Sequence, residues 1–147
     1  MNFTIIQKIM TSAYEFLIHR EGMDYRLELN DKELSAVLFD GEENIIGEFK
    51  RKPFSLGTFV FLVGEKDYIF KHGIFSTLVS PPSGVIYSRF LSTTFKDSKT
   101  KNRVTKLEFV GIHMGIHGKY QLLVQDTQHV EALLLTACID IHFDTLA

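Results

Sequence analysis

Residues Val130 to Phe143 read VEALLLTACIDIHF, and this one stretch decides the fold. At about 100° per residue, the successive Leu133, Leu134 and Leu135 point to three different sides of a helix, and Ala132, Ala137, Ile139 and Ile141 fill the gaps. A helix apolar all round keeps no face for water, so it must be enclosed. Its roughly 14 residues, interrupted by Glu131, Asp140 and His142, fall short of the roughly 20 apolar residues that cross a bilayer. The economical enclosure is a sheet wrapped around it. The sequence predicts this central helix over about 128–142. It is entered from Asp126-Thr127, where a side-chain oxygen can accept from the first free N–H groups, and Glu131 suits the positive end of the dipole. The exit alternates polar and apolar residues from Cys138 to Asp144, a pattern also compatible with an unwound tail. Asp140, unfavourable near a helix C-terminus, is expected at the mouth of the enclosure, within reach of water.

Upstream of the helix the chain reads as strand. From Thr4 onward, short runs alternate with period two and stop at turn signals. Tyr14, Phe16 and Ile18 share one face. After Glu21-Gly22, Tyr25, Leu27 and Leu29 face inward while Arg26 and Glu28 face outward. Ser35 to Phe39 closes at Asp40-Gly41, a dipeptide that tolerates the positive φ of a tight hairpin. The runs Ile45 to Lys50, Phe59 to Val63, Tyr68 to Lys71, Ile74 to Val79, Gly84 to Leu91, Val104 to Val110 and Tyr120 to Gln125 follow, the Gly84 run entered from Ser80-Pro81-Pro82-Ser83. About a dozen short, evenly spaced strand candidates predict an antiparallel all-β sandwich or barrel. A loose repeat overlies them: Phe49-Lys50 and Phe54-Ser55 recur as Phe70-Lys71 and Phe75-Ser76. In this reading an inward aromatic ends one strand, basic residues mark the rim, and a second aromatic with Ser opens the next strand. Phe54 to Val63 is apolar enough to suggest a membrane-inserting patch, but its strand spacing favours a core strand buried on both faces.

The 147 residues fit one domain, residues 1–147, able to bury a sizeable core. Thirteen Phe and five Tyr lean towards sheet, and three Pro with no low-complexity tract argue against disorder. A formal charge of −2 supplies no global field for nucleic acid, so any electrostatic recognition is local. Cys138 is the only cysteine; no intramolecular disulfide is possible, and its expected role is that of a small core hydrophobe. The opening MNFTIIQKIM has no basic region followed by an apolar run, and no transmembrane segment is found. A soluble, cytoplasmic protein, at most peripheral at a membrane, is the expectation.

The candidate chemistry is basic. Lys96, Lys99, Lys101, Arg103 and Lys106 cluster in FKDSKTKNRVTKLEF with only Asp97 opposing, and Lys50-Arg51-Lys52 forms a second knot. Ammonium and guanidinium groups so gathered can hold phosphate by charge-assisted hydrogen bonds, although charge runs are commonly only solvated hairpin tips. Whether the two knots share a face is not legible from the sequence. His113 and His117 are four apart, but Met114-Gly115-Ile116 between them reads as strand or turn, and no nearby Cys or carboxylate completes a metal site. No GxSxG elbow, phosphate-cradling glycine loop, HExxH or CxxC pair is present. The reading therefore names no catalytic residue, no metal ligand and no cofactor.

Lys-Phe-Ser turns between strands (FKRKPFSLGTFVFLVGEKDYIFKHGIFS) are followed by a last strand, an acidic turn and a hydrophobic helix (GKYQLLVQDTQHVEALLLTACIDIHFD). In this pattern the chain resembles the tubby C-terminal-like superfamily, nearest its compact LURP-one-related and bacterial branch, which also resembles the phospholipid scramblases. The resemblance covers essentially the whole chain through residue classes rather than invariant residues. It implies a closed antiparallel barrel of about twelve strands threaded by the C-terminal helix. For function it implies little: tubby domains bind phosphoinositides through basic surface residues and scramblases act on lipids at membranes, whereas the compact members largely lack an assigned activity, and no individual lipid-contacting residue carries over. Asp126 stands without a second or third carboxylate, a departure from the acidic calcium signature of scramblases. The expected function is a non-enzymatic binding module for anionic or phosphorylated ligands such as lipid headgroups. The alternative is a protein-interaction or regulatory domain with no lipid role. An enzyme ranks third, since a barrel filled by its own helix leaves little cavity for substrate.

Overall fold

The computed structural model describes residues 1–9, 14–30, 32–54, 57–73, 76–89, 92–113, 117–126 and 128–146. Among them are twelve strands and one helix. The first six strands are β1 (Asn2–Ile9), β2 (Tyr14–Arg20), β3 (Met23–Asn30), β4 (Ser35–Phe39), β5 (Ile45–Arg51) and β6 (Thr58–Val63). β7 (Lys66–Lys71), β8 (Ser76–Val79), β9 (Gly84–Arg89), β10 (Ser92–Asp97), β11 (Arg103–His113) and β12 (His117–Val124) follow, before the helix α1 (Val130–Leu146).

Each strand pairs antiparallel with its neighbour in sequence, and β1 closes the barrel on β12 with Asn2 opposite Leu123 and Gln7 opposite Gly118. The terminal amine of Met1 donates to the Val124 carbonyl at 2.7 Å across the same seam. Among the described residues closure leaves no unpaired sheet edge. It also follows that odd-numbered strands all run one way and even-numbered strands the other. The end at which α1 begins, beyond the last residue of β12, is called the near end below; α1 runs through the interior towards the far end.

The period-two pattern does what it predicts. Phe16 and Ile18 on β2, Tyr25, Leu27 and Leu29 on β3, and Ala36 and Leu38 on β4 are buried, and the residues between them face out or are half-buried. Phenylalanines of β5 to β7 build one wall of the core: Phe49 stacks on Phe59 at 4.8 Å between centroids, and Phe61 on Phe70 at 5.6 Å. Against this wall lies the helix, in which every residue from Ala132 to His142 is buried. Burying a Leu, Ile or Phe side chain is worth about 1.5–3 kcal/mol, so the helix and wall together supply much of the driving force. Gly47 on β5 makes room for the closest approach: a Cβ there would lie 3.2 Å from Leu135 Cδ1.

Several expectations need correction. The helix starts at Val130 and stays helical to Leu146, beyond the predicted end near 142, and the barrel encloses it through His142. Asp140 is therefore not at a watery mouth; it is 6 % exposed, in mid-helix. β10 is absent from the predicted set because STTFKD has a single buried apolar residue, Phe95. At Asp40-Gly41 the left-handed residue is Glu43 (φ 63°), not Gly41, since the Asp40 carboxylate accepts from the amides of Glu42 and Asn44 and widens the turn. Phe54 neither opens a strand nor joins the core: β6 begins at Thr58, and Phe54 is fully exposed. The repeat thus holds for its first aromatic, Phe49 and Phe70 both being buried, while Phe75, Ile74, Leu91, Ser55 and Thr127 lie outside the described residues.

Candidate functional site

The first basic cluster sits on the β10–β11 hairpin at the near end. Phe95 points into the barrel, which turns Lys96 outward. The pairing then steps from Phe95 opposite Thr105 to Lys96 opposite Arg103, leaving Val104 as an extra residue on β11. This bulge buries both Val104 and Thr105 and re-aims Arg103 to the rim. Between the strands, Asp97 Oδ1 accepts the backbone N–H groups of Lys99 and Thr100, both at 2.8 Å. Lys101 donates its N–H to the Asp97 carbonyl at 3.0 Å and takes a left-handed φ of 62°. The amides of Thr100 and Lys99 hold the Asp97 carboxyl below the usual carboxylate range.

Beside this loop the hairpin and the helix approach enclose an open depression of about 800 Å³, lined by Lys96, Lys101, Asn102, Arg103, Gln125 and Asp126. Asp126 Oδ1 accepts the amides of Gln128 at 2.7 Å and His129 at 3.1 Å, as the expected acidic approach to the helix requires. The first intrahelical bond follows from Leu133 N–H to the His129 carbonyl. The carboxylate of the depression, Asp126, and that of the adjoining loop, Asp97, both accept from backbone amides. Lys96, Lys99, Lys101 and Arg103 are exposed and form no salt bridge among the described residues; Lys96 lies over the Tyr87 ring, 5.7 Å from its centroid. Lys106 does not join them. It is on the outer wall and pairs with Glu108 at 2.7 Å.

Lys50, Arg51 and Lys52 are at the other end. β5 is an odd-numbered strand and finishes at the far end, whereas β10 finishes at the near end, so the two knots face opposite openings of the barrel and cannot share a small ligand. Lys50 approaches Glu48 at 3.8 Å; Arg51 and Lys52 are exposed. Counting turns along the chain could have shown this, but the unlegible strand β10 breaks the count.

His113 and His117 are opposite one another across β11 and β12, and the intervening 114–116 lies outside the described residues. Among the described residues no group of three His, Cys, Asp or Glu side chains is placed to hold a metal ion. Inside the barrel, Thr93, Thr105, Thr136 and Asp140 line a void of about 10 Å³, close to the room one water needs. These interior polar residues carry no sequence signal, and neither do Asn102 and Gln125 in the open depression. Among the described residues no helix is long and apolar enough to cross a membrane. No family model, curated protein or solved structure matches this chain, so the fold and the charge geometry are the grounds on which its function is read.

Proposed function

We propose that this chain is a non-enzymatic binding module for an anionic or phosphorylated group, taken up at the β10–β11 rim. One observation carries the reading: Lys96, Lys101 and Arg103, all exposed, line an open depression whose one carboxylate, Asp126, accepts from backbone amides, with Lys99 exposed on the same loop. The positive end of α1 opens towards the same side and adds to the attraction. Arg103 can offer a planar fork to phosphate and the lysines mobile point charges. A free phosphate and a lipid headgroup present the same chemistry, and the tubby-like resemblance of the sequence supports the lipid source.

The test is calorimetric titration with inorganic pyrophosphate and an inositol phosphate at low and high salt, run beside flotation with anionic liposomes. Binding that weakens with salt and is lost in Lys99→Glu/Lys101→Glu supports the proposal. Its loss for soluble phosphates assigns a free ligand, and its loss for liposomes assigns a headgroup. Equal binding by wild type and the double variant in both arms would sink it. The second reading, a protein-interaction domain without a lipid role, draws on the apolar Val110 and Ile112 exposed on β11.

A further inference from the structure

Phe54 stands apart from the other described phenylalanines. Phe49, Phe59, Phe61 and Phe70 of the neighbouring strands are within the core, while Phe54, on the turn between β5 and β6, is 110 % exposed. Its backbone adds a second peculiarity. Phe54 has φ 61°, a left-handed conformation that glycine takes freely and a bulky L-residue rarely adopts. Folding alone gains nothing from placing this ring in water on a strained backbone.

The base of the turn is pinned. Lys52 N–H donates to the Thr58 carbonyl at 2.8 Å, and His72 N–H donates to the Gly57 carbonyl at 2.7 Å. Gly57 permits this approach, since a Cβ there would lie 2.6 Å from the His72 carbonyl oxygen. Pro53 restricts the turn immediately before the ring. The base of the turn is thereby tied to the β6–β7 pair, and Arg51, Lys52 and Lys71 at the same end are exposed. Turns at the opposite end of the same strands carry Asp40, Glu42, Glu65 and Asp67. Within this sector a negatively charged surface is attracted to the far end and repelled at the near end; the Lys96–Arg103 hairpin attracts it in another sector of the near end.

From this placement we infer that the turn around Phe54 is a docking wedge for an anionic bilayer. The Phe54 ring enters the boundary between headgroups and acyl chains, and Arg51, Lys52 and Lys71 lie on the headgroup phosphates. A single ring amid cations suits that boundary, where apolar and anionic layers adjoin; a stable protein interface needs an extended patch of about 800 Å² on each partner. One apolar anchor joined to a basic cluster combines buried apolar area with attraction to anionic lipid, the two terms on which interfacial binding scales. The wedge and the β10–β11 depression are at opposite ends, so a molecule docked through the wedge turns the depression towards water, where it takes a free phosphate and not a headgroup of the same bilayer. The inference rests on Phe54 and its turn, independently of the anion-binding proposal.

The chain has no tryptophan, so Phe54→Trp creates a single fluorescent reporter at an exposed position. With vesicles containing phosphatidylserine, its emission shifts to the blue and is quenched by lipids brominated along the acyl chain; vesicles of phosphatidylcholine alone give a much smaller response. In flotation, Phe54→Ala lowers partition by about tenfold, and Arg51→Ala/Lys52→Ala by about 25-fold at low salt, with unchanged melting temperatures. Water-like emission without quenching on phosphatidylserine vesicles, or undiminished partition of Phe54→Ala, would overturn the wedge. Vesicle binding lost in Lys99→Glu/Lys101→Glu but retained in Phe54→Ala would also overturn it, while leaving the near-end anion site standing.

Discussion

Asp97 Oδ1 meets the backbone N–H of Lys99 at 2.8 Å and so directs its hydrogen bonding first at the loop amides, the Lys99 charge adding a smaller attraction. The basic hairpin thereby has an internal organiser, and the side chains it carries stay available to an outside anion. The Asp97 carboxyl is held below its ordinary value near 3.8 by the amides of Thr100 and Lys99. The support it gives the loop is present above that ordinary value and is lost as pH falls through the lowered one. In Asp97→Asn, amide hydrogen exchange at Lys99 and Thr100 should accelerate at neutral pH, with little change elsewhere in the barrel. Unchanged exchange at both amides would show that the loop holds its shape without the carboxylate.

Leu134 is fully buried in the second turn of the helix. An unpaired carboxylate there costs several kcal/mol against a total stability of about 5–15 kcal/mol, so Leu134→Asp should not fold. Leu134→Ala keeps the core apolar and should fold with a loss of about 2–5 kcal/mol, read by urea denaturation. A cooperative melt of Leu134→Asp near the wild-type temperature would refute the enclosed helix.

Gly47 and Leu135 are matched across the interior. Gly47→Ala brings a methyl to 3.2 Å from Leu135 Cδ1, closer than ordinary packing, and should cost about 1–3 kcal/mol. Adding Leu135→Ala in the same chain should cost less than the sum of the two single changes, because the small side chain receives the new methyl. Strict additivity in a double-mutant cycle would mean that the two positions do not touch.

Cys138 is buried in the helix, and desolvation pushes its thiol far above the ordinary value near 9. Below that value the thiol is neutral in both folded and unfolded chains and makes no demand on stability. As pH rises past it, the unfolded chain ionises first, so stability falls. A maleimide reagent at neutral pH should leave the native protein unmodified and label it at the rate of global unfolding when urea is added. Rapid labelling without urea would require the helix to leave the barrel readily.

Local pattern was enough to read most strands, since residues such as Phe16, Ile18, Leu27 and Leu29 alternate with polar neighbours at a period that belongs to strand alone. β10 escaped because its pattern is almost entirely polar outside Phe95, and it is a strand only because β9 and β11 pair with it from both sides. Asp140 escaped for a related reason. A carboxylate near the end of an apolar run signals exposure, whereas the barrel continues past it and encloses it.

The two basic knots were visible as charge, but their separation was not. Each hairpin reverses the chain, so the end of the barrel that a residue occupies depends on every turn before it. Phe54 depended on less, a single left-handed φ that separates it from the strand whose apolar composition it shares.

By itself the sequence determined that Val130 to Phe143 would be enclosed by sheet, because a helix apolar on every side is stable only where no side meets water; that the sheet closes into a barrel was left to the pairing of β1 with β12. Tertiary structure alone decided that Lys96–Arg103 and Lys50–Lys52 face opposite ways and that Phe54 points outward. Burial period is written in neighbouring residues, whereas the end of a barrel and the exposure of a turn arise from pairings summed over the whole chain.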